Sequence, residues 1–188
     1  SVMNTVSSIS QKISLTDAAL FLSDFSLKKQ TNDWKICQLV IQAMSNSYRF
    51  DQLKSKQESE TSNLRKVIFY IENRAELEVC ERAMQQGLAI ANGMNLAKDL
   101  GNLAPNICTP SYLAKQAKDL AKSHKLKVDV LEEKDMEKLG MGSLLSVAQG
   151  SHQPAKLIVL EYYGLEKKDN PFVLVGKGVT FDTGGISL

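Results

Sequence analysis

Two short runs towards the end of the chain are apolar at every position. They are Leu157-Ile158-Val159-Leu160 and Phe172-Val173-Leu174-Val175. A strand with one solvated face alternates apolar and polar residues, whereas a continuously apolar strand is typical of a sheet covered on both faces. Such a sheet, mixed or parallel, needs helices packed against it. The two runs therefore predict an α/β fold.

The strongest helix pattern runs from Arg74 to Leu100. Asn73 precedes it as an N-cap, Glu76 follows three residues later as the capping partner, and Gly101 stands just past the last turn. At about 1.5 Å per residue this helix would reach roughly 40 Å, more than one compact domain of this size needs. We predict that it links two domains. A long surface helix of a single domain is the alternative.

This interpretation divides the chain into three parts. Residues 1–73 are predicted to be the end of an N-terminal α/β domain, residues 74–100 the linking helix, and residues 101–188 the first part of a second α/β domain with a mixed sheet. Further helices are predicted at Thr16–Leu22, Asp33–Ala43, Pro110–Ser123 (capped by Thr109), Lys134–Leu139 and Ser143–Gln149. Further strands are predicted at Val67–Ile71, Lys127–Leu131 and Lys156–Tyr162, and an exposed polar loop at Asp51–Lys66.

The composition excludes several kinds of protein. The chain has 23 basic and 21 acidic residues and a net charge of +2, so a nucleic-acid partner is not indicated. Its three cysteines, Cys37, Cys80 and Cys108, have no CxxC spacing and are predicted to be reduced core thiols. No stretch approaches the roughly 18 apolar residues of a membrane span, and we predict a cytoplasmic protein.

The second apolar run leads into a glycine-rich turn that carries a lysine and an aspartate. In Gly176-Lys177-Gly178-Val179-Thr180-Phe181-Asp182 the glycines leave the backbone free to turn and to approach a ligand. Ligands of open α/β sheets bind beyond the carboxyl ends of strands, which is where this turn would lie. An aspartate is a hard oxygen ligand, and a lysine binds metal as the neutral amine. Lys177 and Asp182 are therefore predicted metal ligands.

Three segments resemble the leucyl aminopeptidase family of two-metal aminopeptidases. The stretch from Val175 to Leu188 looks like the metal-binding signature of the family, and the stretch from Ala97 to Pro110 is similar to its junction between the linking helix and the catalytic domain. Tyr48-Arg49-Phe50-Asp51 looks like the end of its amino-terminal domain. The resemblance spans most of the chain and implies that residues 101–188 begin a metallopeptidase domain.

The resemblance also implies specific roles. The metal-binding lysine of the family falls on Lys177 and its metal-bridging aspartate on Asp182, while its catalytic lysine would follow directly after Leu188. The chain is thus expected to be a fragment that ends inside the active-site motif, with no catalytic residue of its own. The implied protein uses two divalent ions, Zn or Mn, with a bound bicarbonate, releases N-terminal residues such as leucine from peptides, and forms a homohexamer. By itself the fragment is expected to be inactive and either to aggregate or to fold poorly.

Two other functions remain possible at this point. The sequence Asp182-Thr183-Gly184 also occurs in aspartic proteases, which need an all-β fold and a second such aspartate. Some members of the resembled family act as DNA-binding architectural proteins, a role that the near-neutral charge does not favour. A phosphate-binding loop at Lys177 is excluded because the glycine required five residues before Gly176 is missing.

Overall fold

The structure, a computed structural model, describes residues 2–13, 15–24, 27–55, 64–164 and 170–181. It has the mixed α/β fold that the sequence predicts, divided into two compact units, residues 1–102 and 103–188. The division of the chain at residues 73 and 100 stays a prediction. No helix among these ranges is both long and apolar enough to cross a membrane.

The first unit is a βαβ arrangement with additional helices. Its elements in chain order are α1 (Val2–Ile13), β1 (Asp17–Phe21), a 3₁₀ turn (Leu22–Asp24), α2 (Asn32–Ser47), β2 (Lys66–Tyr70), a second 3₁₀ turn (Arg74–Glu76) and α3 (Leu77–Asn102). Strands β1 and β2 pair in parallel, with α2 between them in sequence. The predicted strand near residue 67 and the predicted helix near residue 33 are thereby confirmed.

Strand β1 corrects the helix that the sequence predicts at Thr16–Leu22. Its five residues pair in register with β2, from Asp17 opposite Lys66 to Phe21 opposite Tyr70. The rings of Phe21 and Tyr70 stack with centroids 4.7 Å apart. The two alanines and the leucine of β1 are strong helix formers, so pairing with a strand distant in sequence overrides their local preference.

The core of the first unit lies where α2 and α3 pack against each other. Leu22, Ile36, Val40 and Cys80 form its buried cluster, and Phe69 of β2 packs against it. The face of α3 that is buried carries small residues at helical spacing, namely Cys80, Ala83, Gly87 and Ala91. Small side chains let two helices approach closely, because the distance between helix axes depends on the residues at the contact.

The two ends of α3 differ from the prediction in detail. Asn73 does act as a cap, since its side chain accepts a hydrogen bond from the backbone of Ala75, but the turn it caps is 3₁₀. The Glu76 carboxylate accepts from the Asn32 amide of α2 at 2.9 Å and so ties together the starts of two helices. Gly101 lies inside the last turn of α3 rather than past its end.

The second unit is built around a two-stranded antiparallel sheet. It contains α4 (Pro110–His124), β3 (Lys127–Leu131), α5 (Glu133–Lys138), α6 (Gly142–Ala148) and β4 (Leu157–Glu161). Thr109 caps α4 by accepting from the Tyr112 backbone at 3.2 Å, as predicted. Helix α4 buries Ala114, Ala117 and Ala121. These elements confirm the predicted helices and strands between residues 110 and 162.

The three cysteines are expected to react more slowly the more deeply they are buried. All three cysteines are free, Cys80 and Cys108 are buried, and Cys37 is partly buried. Burial raises the pKa of Cys108, and burial followed by the negative charges of Glu76 and Asp33 raises that of Cys80. Because the thiolate is the reactive form, we expect iodoacetamide to alkylate Cys37 first in the folded protein. Peptide mass spectrometry measures this order; equal rates at all three sites would contradict the burial pattern.

Candidate functional site

The segment that carries the predicted site lies open on the surface of the second unit. Residues 170–181 form neither helix nor strand. The side chains of Phe172 and Leu174 are 101% and 97% exposed. The strand predicted at Phe172–Val175 is therefore wrong for this structure. A single strand is not stable by itself in water, and among the described residues no other strand pairs with this segment.

Lys177 lies in this segment with its side chain exposed. Residues on both sides of it are glycines, and a Cβ built on Gly178 would lie 4.0 Å from the Leu113 Cδ1 atom of α4. The segment thus passes beside the first turns of α4. Within the described ranges, no carboxylate is close enough to form an ion pair with the Lys177 amine. Asp182, the second predicted ligand, lies outside the described residues.

The donor chemistry of these two residues fits part of a metal site. The Lys177 amine is exposed, so it is free to reach a cation, and a carboxylate such as that of Asp182 is a ligand that divalent ions accept. The described part of the chain contains no group of three or more histidine, cysteine, aspartate or glutamate side chains that could hold a metal. No ready-made cluster of further ligands is therefore found within the described ranges.

Two ion pairs of the second unit lie in its sheet rather than in this segment. Lys127 Nζ lies 2.8 Å from Glu161 and 3.2 Å from Asp129. The hydrogen bond to Glu161 raises the pKa of Lys127, and the same bond lowers the pKa of Glu161. The Lys127 and Asp129 side chains are exposed, that of Glu161 is partly buried, and the ion pair joins the ends of β3 and β4.

Comparison with known proteins identifies the family. Residues 95–188 match the catalytic domain of the cytosol aminopeptidase family, and residues 1–57 match the N-terminal domain of the same family. The fold and both matches define an α/β protein with one range similar to the N-terminal domain of this family and one similar to its catalytic domain. The chain belongs to the cytosol aminopeptidase family. Lys177 and Asp182 both lie within the range that matches the catalytic domain.

Individual relatives agree with this assignment. A probable cytosol aminopeptidase of Nitrosomonas eutropha is 59% identical over 172 residues, which are 92% of this chain and 35% of that protein. The chain thus spans about a third of the length of this relative. A mutant of tomato leucine aminopeptidase superposes with a TM-score of 0.81 at 24% identity, over 97% of this chain and 36% of that one.

A second solved structure shows the same fold. The bottromycin maturation enzyme BotP, in complex with Mn, superposes with a TM-score of 0.66 at 24% identity, over 85% of this chain and 32% of that one. At 24% identity both solved structures show the fold of this chain, and the family that it belongs to is one of metallo-aminopeptidases.

Proposed function

We propose that the protein to which this chain belongs is a metal-dependent aminopeptidase that releases N-terminal residues such as leucine from peptides. The observation that carries the proposal is the position of the glycine-flanked Lys177, exposed beside α4, within residues that match the catalytic domain of the family. A relative that shares 59% of the aligned residues bears the name of a probable cytosol aminopeptidase, and this supports both the activity and a location in the cytosol.

In this proposal Lys177 and Asp182 hold divalent cations, two of them, either Zn or Mn. When bound, such ions lower the pKa of a water molecule and polarise the scissile carbonyl. The contribution of this chain is to present one amine and one carboxylate from a segment whose glycines leave room around it. The proposed site also includes a catalytic lysine and a bound bicarbonate, and the proposed assembly is a homohexamer.

The competing functions have less support. An aspartic protease needs an all-β fold, and the described residues form a mixed α/β fold, so the Asp182-Thr183-Gly184 sequence has another role. A DNA-binding role of the assembled protein stays a prediction without a structural observation in its favour. A salt-sensitive shift of duplex DNA by the whole protein would be evidence for it.

The test of the proposed function is metal-dependent hydrolysis. The whole protein is incubated with leucyl amide before and after dialysis against a chelator, and again after Zn or Mn is returned. We expect activity to disappear with the chelator and to return with the metal. Hydrolysis that persists at the same rate in metal-free protein, with metal content verified by mass spectrometry, would refute the proposal.

A further inference from the structure

Helix α3 continues through a residue that normally ends helices. Gly101 is helical, and α3 ends only at Asn102. Glycine is unfavourable inside a helix because it loses more backbone freedom than other residues. A Cβ built on Gly101 meets no atom within 4 Å, so no close packing at this position requires a glycine or holds it in place. The stabilisation of the last turn must come from other contacts.

These contacts come from the end of α2. The Tyr48 hydroxyl donates to Asp99 Oδ1 at 2.8 Å and accepts from Asn102 Nδ2 at 3.1 Å. Lys98 Nζ donates to Ser45 Oγ at 2.9 Å and lies 4.9 Å from the centre of the Tyr48 ring. We call these five residues, Ser45, Tyr48, Lys98, Asp99 and Asn102, the Tyr48 clamp.

The clamp differs in chemistry from the rest of the contact between the two helices. Further towards its start, α3 meets α2 through Cys80, Ala83, Gly87 and Ala91, which are apolar or small. Apolar packing is not directional, whereas hydrogen bonds require particular partners at particular distances. The clamp therefore fixes the last turn of α3 more specifically than packing does.

We propose that the Tyr48 clamp is a conformational device that decides whether the last turn of α3 is helical or unwound. Glycine at position 101 favours unwinding, and the bonds from Tyr48 to Asp99 and Asn102 favour the helix. The two effects oppose each other, and in the structure the clamp holds the turn in the helical state. The chain passes directly from this turn into residues 103–188, so the state of the turn sets where the helix ends and the next unit begins.

The protonation of Tyr48 agrees with this role. Burial of the phenol and its contact with Asp99 raise its pKa, whereas the bond from Asn102 lowers it, and the net shift is upwards. Lys98 lies over the ring, and Asp99 accepts the hydrogen bond from the hydroxyl. Because the free phenol titrates near pH 10, the hydroxyl remains a donor throughout the neutral range. The clamp is thus closed under ordinary conditions.

Hydrogen exchange of the whole protein tests the clamp. Tyr48→Phe removes the hydroxyl and keeps the ring, so packing and the contact with Lys98 remain. We expect the backbone amides of residues 99–102 to exchange on the order of tenfold faster, as for the loss of a hydrogen bond to a charged acceptor. The amides of residues 83–91, in the middle of α3, should be unchanged and so report that the protein remains folded.

A second substitution distinguishes the effect of the clamp from a change in the stability of the whole protein. Gly101→Ala introduces a residue that favours helix into open space, so adding it to Tyr48→Phe should return the exchange of residues 99–102 close to the original rate. Gly93→Ala, which also meets no atom within 4 Å, is the matched control and should not restore it. Unchanged exchange in Tyr48→Phe, or equal rescue by both alanines, would overturn the proposal.

Discussion

Replacement of Asp182 by asparagine, or of Lys177 by methionine, is expected to lower leucyl amide hydrolysis by the whole protein at least about a hundredfold. Each substitution removes one proposed ligand and keeps a side chain of similar size. Metal ions stabilise charge in the transition state by several kcal/mol, and each 1.36 kcal/mol is a factor of ten in rate. Loss of a ligand that holds the metal is therefore expected to lower the rate of hydrolysis strongly.

The measurement combines turnover with metal content. We expect both variants to bind less than the full complement of metal, as determined by mass spectrometry, and to unfold at the same denaturant concentration as the unaltered protein. Lys118→Ala, an exposed lysine on α4, is the matched control and should keep full activity. If variants of Lys177 and Asp182 retain both metal and turnover, these residues are not metal ligands.

Local sequence signals predicted the second unit well. Thr109 followed by Pro110 marks a helix start through the side-chain cap and the fixed proline backbone, and the helix begins there. The strand at Lys127–Leu131 has the predicted bounds. These signals act between residues close in sequence, so a pattern in the chain is sufficient to detect them.

The errors all involve contacts between residues distant in sequence. Strand β1 is a strand because β2 pairs with it, and α3 extends through Gly101 with support from Tyr48. The apolar run Phe172–Val175 is not a strand because no described strand lies beside it. In each case the local preference points the other way, and a tertiary partner, present or missing, determines the outcome.

The sequence predicts the kind of chemistry at the candidate site but not the neighbours of its residues. The types and spacing of Lys177 and Asp182 indicate metal binding, because an amine and a carboxylate on a glycine-rich turn suit a cation. The structure adds that Lys177 is exposed and that the neighbouring Gly178 faces Leu113 of α4. Sequence patterns do not reveal that Leu113 lies beside Gly178, since Leu113 has the pattern of any apolar residue in a helix.

Gly87→Ala is expected to lower the free energy of unfolding by about 2 kcal/mol, even though alanine favours helix over glycine. A Cβ at this position would lie 2.8 Å from the carbonyl oxygen of Cys37 and 3.0 Å from Val40 Cβ. The first of these atoms belongs to the backbone of α2 and cannot rotate away. The two helices would have to separate, which loosens the cluster of Leu22, Ile36, Val40 and Cys80.

The control for this substitution lies on the same helix. Gly93→Ala places the same methyl group in open space, so it should raise the free energy of unfolding by up to about 1 kcal/mol through helix propensity alone. Urea denaturation of the whole protein, followed by circular dichroism, measures both changes. Because the two variants are chemically identical, the difference between them isolates the contact between α2 and α3. Equal effects of both alanines would mean that the helices do not approach as closely as the structure shows.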